Sequence, residues 1–245
     1  MTAAATGATA LRVLAQLRRD PRTVALLLAV PAVLVTLLKF VFDGQDGTFD
    51  RLGAPLIGLL PFITMFLVTS ITMLRERTGG TLERLMSMPV AKLDLLTGYG
   101  LAFAAVAAAQ VAVTAAVAFL LLDLDIAGSS APVVGLALAN AVLGMALGLF
   151  VSAFASSEFQ AVQFMPAFVL PQLFLCGLFA ERDSMAAVLQ WASDALPLTY
   201  AFDALDRVAA GGAFGGQGWL DVAVILSSTV LALTLGALTL RRQTA

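Results

Sequence analysis

Six stretches of about twenty mostly apolar residues recur along the 245-residue chain, at 24–42, 54–74, 95–122, 132–155, 161–180 and 220–240. Wound as helices, stretches of that length match the hydrocarbon thickness of a bilayer. A backbone in lipid must satisfy its own hydrogen bonds, which favours helices. The expected fold is an all-α membrane protein: one domain over 1–245, with six transmembrane helices. Only 12% of residues are charged and 60% are apolar, against about 25% charged in soluble domains. That is too few to cover a water-facing surface. Pro31, Pro61, Pro166 and Pro171 fall inside the stretches and predict kinks, because neighbouring helices can take up the freed carbonyls. The third stretch is long enough to tilt or to begin as an interfacial turn.

Histidine is absent and Cys176 is the only cysteine. No disulfide can close within the chain. Zinc sites built on His or paired Cys, and Ser-His or Cys-His nucleophile pairs, are excluded. Gly128-Ser129-Ser130 therefore reads as a turn. The net charge of −2 gives no reason to expect nucleic-acid binding. Residues 1–10 are small and polar, with no cleavable leader expected. Arg outnumbers Lys twelve to two, read as a GC-rich bacterial coding bias. The expected location is thus the bacterial cytoplasmic membrane.

Orientation follows from basic residues. With both termini in the cytoplasm, ten basic and five acidic residues fall inside, and four basic and eleven acidic outside. An odd number of crossings would spoil that bias by moving Arg241 and Arg242 outside.

Four non-spanning regions remain. In residues 11–22, within the cytoplasmic segment 1–23, Leu11, Leu14 and Leu17, with Val13, lie at helical spacing opposite Arg12, Arg18 and Arg19. This predicts an amphipathic helix on the inner surface; an ordinary basic flank is the alternative. Residues 75–94 read RERTGGTLERLMSMPVAKLD. Gly79-Gly80 breaks the incoming helix, Thr81 can cap a new one, and Pro89 ends it. Leu82, Leu85, Met86 and Met88 give it an apolar stripe beside Glu83 and Arg84. A short element so mixed suggests a docking surface; a solvated turn is the other reading. Residues 43–53 and 123–131 are short acidic connectors. Residues 181–218 hold two helix-like pieces, 184–193 and 198–210, the second after Pro197. Each is too short to cross and too apolar for a loop, which predicts a re-entrant or interfacial hairpin at the outer leaflet. Trp191, Tyr200 and Trp219 suit the headgroup zone; a small exoplasmic cap is the alternative.

The stretches are nearly free of charge. Lys39 is expected to snorkel, and Gln110, Asn140, Gln163 and Gln172 to bond between helices or to line a polar path. Coupling to a proton or Na⁺ gradient has no support. Gly144 with Gly148, and Ala104 with Ala108 and Ala112, form small-residue stripes that let helices approach, within the chain or across a dimer.

Residues 75–90 resemble the cytoplasmic loop of the ABC-2 type transporter permeases, R-E-R-x-x-G-T-L-E-x-L-x-x-x-P-[VI]. The matching residues are Arg75, Glu76, Arg77, Gly80, Thr81, Leu82, Glu83, Leu85, Pro89 and Val90. Looser matches are Leu196-Pro197-Leu198-Thr199-Tyr200 and Leu175-Cys176-Gly177-Leu178-Phe179. The resemblance covers nearly the whole chain in order and spacing. One departure is Met185-Ala186-Ala187, where the family often has a proline.

The resemblance implies a six-helix subunit paired with a second permease, alike or homologous, and driven by two copies of a separate ABC ATPase. The helix after Thr81 would insert into the ATPase, with the 11–20 helix against the same partner. No G-x-x-x-x-G-K-[ST] occurs in the chain, so ATP and Mg would bind the partner and this chain would hold no cofactor or catalytic residue. Alternating access driven by that partner is the expected mechanism, with outward movement of a hydrophobic or amphipathic cargo such as a drug or lipid. The alternative function is an ATP-independent channel, secondary carrier or assembly scaffold.

Overall fold

The computed structural model describes residues 3–45, 47–81 and 92–239, which are helical with no strand. Helix α1 (Ala3–Arg18) is followed after a two-residue elbow by α2 (Pro21–Val41). Asp20 caps α2, accepting from the Thr23 N–H and hydroxyl at 3.2 and 2.6 Å. Pro21 stands at the first helical position, where its missing donor costs nothing. The Thr23 hydrogen bonds hold the Asp20 carboxyl below its usual range, so the cap is ionised at neutral pH. The sequence predicts the first helix over 11–22 and the first crossing from 24; the Asp20 cap moves that boundary back, ending α1 at Arg18 and starting α2 at Pro21.

Helix α3 (Thr48–Thr78) has 31 residues, about 46 Å of helix. It outruns the hydrocarbon layer and carries Arg75–Arg77 beyond the apolar stretch. Helix α4 (Lys92–Ala116) runs into a π-turn, Val117–Leu121. Helix α5 (Ser130–Val151) ends in a 3₁₀ turn, and α6 (Glu158–Leu175) follows. Two shorter helices come next, α7 (Ala187–Asp194) and α8 (Pro197–Ala209), and α9 (Gly215–Thr239) completes the described chain.

Among the described residues, five helices are long and apolar enough to cross a bilayer: α2, α3, α4 with its π-turn, α5 with its 3₁₀ turn, and α9. The fifth predicted stretch, 161–180, falls outside that set. Its helix begins earlier, at Glu158, and stops at Leu175. It carries Gln160, Gln163 and Gln172 with two prolines in 18 residues, which dilutes its apolar character. It nonetheless runs from one end of the bundle to the other. Glu158 meets Arg75 at the first end, and the Leu175 carbonyl meets the Ser193 hydroxyl (2.8 Å) at the second.

The centre is the α3–α5 pair, the most buried of the long helices. A Cβ at Gly144 would fall on the backbone of Phe62, and one at Gly148 on the Phe66 carbonyl and the Thr69 hydroxyl. The glycine stripe is therefore a contact within the chain. Thr69 Oγ1 donates to the Met145 carbonyl at 3.1 Å and Asn140 Nδ2 to the Gly58 carbonyl at 3.1 Å. Gln110 Nε2 donates to the Leu27 carbonyl at 2.6 Å and to Thr64 Oγ1 at 2.8 Å. These two side chains bond between helices, whereas Gln172 donates to Phe168 in its own helix. Ala108 and Ala112 face outward, so the α4 stripe is not used inside the bundle. Lys39 lies 4.7 Å over the buried Phe49 ring, a cation–π contact in the last turn of α2.

Gly144→Ala is expected to lower the melting temperature in detergent, because α3 and α5 would have to separate. Overpacking of this kind costs roughly 1–3 kcal/mol. Gly135 has open space around its Cα, so Gly135→Ala should leave the transition unchanged or raise it. Equal melting of the two variants would refute the packing assignment.

Candidate functional site

The last turn of α3 sends three charged side chains in three directions. Arg75, exposed, makes a two-pronged bond to Glu158 at the start of α6, at 2.7 and 2.9 Å. Both partners are exposed, so water screens the charges and the pair serves mainly to orient the two helix ends. Arg77 donates to the Ser152 carbonyl at 2.5 Å, satisfying one of the orphan carbonyls at the end of α5. Glu76 turns inward and is buried 3.5 Å from Arg12 of α1. Gly79 closes the helix with its N–H on the Arg75 carbonyl at 2.8 Å, and Gly80 takes φ +70°. Only glycine adopts that backbone freely, which explains the helix break at this dipeptide. Thr81 is the last residue described before the loop. Leu82, Glu83, Leu85, Met86 and Pro89 of the predicted docking segment lie outside the described residues.

Helix α1 packs along the first turns of α4. Val13 and Thr9 are buried, and Leu14 and Leu17 pack against the main core. Leu11 is 69% exposed and lies off that face; Arg18 and Arg19 are also exposed. Close approach is possible because Gly98 sits against Thr9 and the Thr6 carbonyl. The guanidinium of Arg12 donates to the Tyr99 hydroxyl and stands 5.5 Å from the Tyr99 ring centre. Tyr99 is wholly buried.

The opposite end holds the connections after α6. Arg182 pairs with Asp194 and, at 2.9 Å, with Asp203, tying α7 to α8. Thr199 Oγ1 donates to the Ser193 carbonyl at 2.9 Å. Pro197 opens α8, Tyr200 donates its hydroxyl to the Asp194 carbonyl at 2.8 Å, and Trp191 is exposed. Arg207 reaches Asp221 at 2.7 Å, and Asp221 is fully buried. A cleft of about 600 Å³ opens at this end between the start of α3, the α6 exit and α8, bordered by Arg51, Phe179, Glu181 and Asp206.

From the sequence, Arg12 was placed on the polar face of the first helix and Arg207 among the outside charges, and Tyr99 had no role. Their partners lie 64, 14 and 87 residues away in the chain. Burial of Asp221 at the foot of an apolar helix was the one available signal.

A bundle of membrane-length helices, with basic ends gathered around one short loop and a second set of ion pairs at the far end, defines a multi-pass membrane protein. The chain belongs to the ABC-2 type transporter family, whose description matches residues 5–208. It is 26% identical over 211 residues to "ABC transporter G family member 20" of Dictyostelium discoideum, covering 85% of this chain and 29% of that protein. It is 27% identical over 135 residues to "Probable multidrug ABC transporter permease YbhR" of Escherichia coli K12, covering 55% of this chain and 37% of that one. The chain thus spans about a third of the length of these relatives.

Proposed function

We propose that this chain is the permease subunit of an ATP-driven exporter. It would move a hydrophobic or amphipathic cargo outward by alternating access, with ATP and Mg held by a separate ATPase present in two copies. The carrying observation is the origin of the 75–90 string. It springs from the end of the bundle where α1, α3, α4, α5 and α6 are tied together by Arg12, Arg75 and Arg77. A push on that string would reach most of the long helices at once.

Six crossings are part of this reading. Helix α6 spans about 27 Å between the two ends of the bundle, and its shortfall is one of polarity. Of its residues, only Ala161, Val169 and Gln172 are buried, while Gln163, Phe168 and Phe174 face outward. A glutamine facing lipid has no partner there, and polar side chains commonly join helices across an interface. Helix α6 therefore faces a second permease, identical or homologous. Helices α7 and α8, of 8 and 13 residues, form a re-entrant or interfacial hairpin at the outer leaflet. Both termini lie in the cytoplasm of a bacterium.

Proteoliposomes test the proposal. The chain reconstituted with its ATPase should accumulate an amphipathic dye against a gradient with ATP, and not with a non-hydrolysable analogue. Uphill accumulation by the chain with no ATPase present would overturn it.

A further inference from the structure

Arg12 and Tyr99 lie outside the 75–90 string. Arg12 belongs to α1, yet its side chain touches both roots of the 79–91 segment. On the entering side it meets Glu76, three residues before Gly79. On the leaving side it donates to Tyr99, in the second turn of α4, and stands over that ring. Glu76 and Tyr99 are both buried, and Glu76 Oε2 and Arg12 Nε are enclosed with no hydrogen-bond partner. A buried pair with atoms left unsatisfied is poor design for stability, since apolar residues of similar volume serve at least as well. What it does supply is a fixed geometry between three helix ends.

We infer that Arg12 and Tyr99 are positioning residues that clamp the two roots of the 79–91 segment into one rigid base, so that motion of the segment passes into α3 and α4 together. The inference rests on the ATPase-coupled reading above and deepens it. If the roots could part, displacement of the segment would be absorbed as splaying of α3 from α4. The bilayer portions would then stay still while the ATPase cycled. Rigidity at the roots is reinforced by the Gly98 contact that seats α1 on α4 and by the buried Val13. Tyr99 also meets Glu76 directly, so the three side chains form one cluster across α1, α3 and α4. The Glu76 contact alone would hold α1 to α3, and the Tyr99 contact alone would hold α1 to α4.

The experiment measures transported dye per ATP hydrolysed, using the full chain with its ATPase in proteoliposomes. Tyr99→Phe keeps the ring and removes the hydroxyl that accepts from Arg12. It should cut the transport-to-hydrolysis ratio several-fold, with ATPase turnover within about twofold of wild type and an unchanged melting temperature. Arg12→Lys, a point charge without the planar fork, should fall in the same direction. A charge reversal, Arg12→Glu with Glu76→Arg, serves as the second arm and should recover part of the ratio lost by Arg12→Glu alone. An unchanged ratio in Tyr99→Phe and Arg12→Lys would overturn the clamp, as would parallel losses of transport and hydrolysis. A wild-type complex that shows no ATP-dependent transport would sink the exporter reading itself, a separate outcome.

Discussion

Arg207→Ala is expected to lower the unfolding free energy in detergent by about 3–5 kcal/mol, the usual consequence of stranding a buried charge. Asp221 has no exposed surface, and its nearest cation is Arg207 at 2.7 Å. Gln217 approaches the other carboxylate oxygen only at 3.5 Å, too far to replace a charge-assisted bond. Removing the guanidinium leaves the carboxylate to protonate or to draw in water, and both disrupt the junction of α8 with α9. Asp221→Asn in the Arg207→Ala background should recover most of the loss, because a neutral amide carries a smaller desolvation penalty. Differential scanning measurements on the four proteins of that cycle give the coupling directly. A loss below about 1 kcal/mol in the single variant would mean that the pair is no more than a surface contact.

Leu85→Asp is expected to abolish capture of the ATPase, with co-purified partner falling at least tenfold and ATP-driven transport with it. Leu85 belongs to the mixed apolar and charged string 82–89, read as a docking surface. Burying a leucine side chain against a partner is worth ~2 kcal/mol, and ~1.4 kcal/mol is a factor of ten. An aspartate adds a carboxylate that must be desolvated in the same pocket. Glu83→Ala should weaken capture in the same direction by a smaller factor. The melting temperature of the isolated chain is the control, and it must stay unchanged for the loss to be assigned to docking. Full recovery of the ATPase with both variants would remove the coupling role from the segment.

The candidate site was partly legible beforehand. The Gly79-Gly80 break, Pro197 at the start of α8 and the glycine stripe on α5 could be read from residue type, because each acts through backbone geometry within a turn or two. Helix α6 was read as a crossing from its apolar run over 161–180, but the helix runs from Glu158 to Leu175 and is not among the five apolar enough to cross. Its glutamines and prolines, interspersed in the run, are what window-by-window reading underweighted. Leu11 was grouped with Leu14, Leu17 and Val13, but only the last three pack inward, joined by Thr9, while Leu11 faces out. Spacing alone could not choose between neighbouring faces of so apolar a helix.

The sequence by itself determined that the chain is helical and built for a bilayer, and where five of its long apolar helices lie. Those properties follow from a solvent that acts on each twenty-residue window separately: lipid demands an apolar surface and a self-satisfied backbone whatever the rest of the chain does. Only the tertiary structure decided which helices touch, that Gly144 and Gly148 meet α3, and that Arg12 joins Glu76 to Tyr99 and Arg207 joins Asp221. A buried charge must find its partner in space, and sequence separation carries no record of that distance.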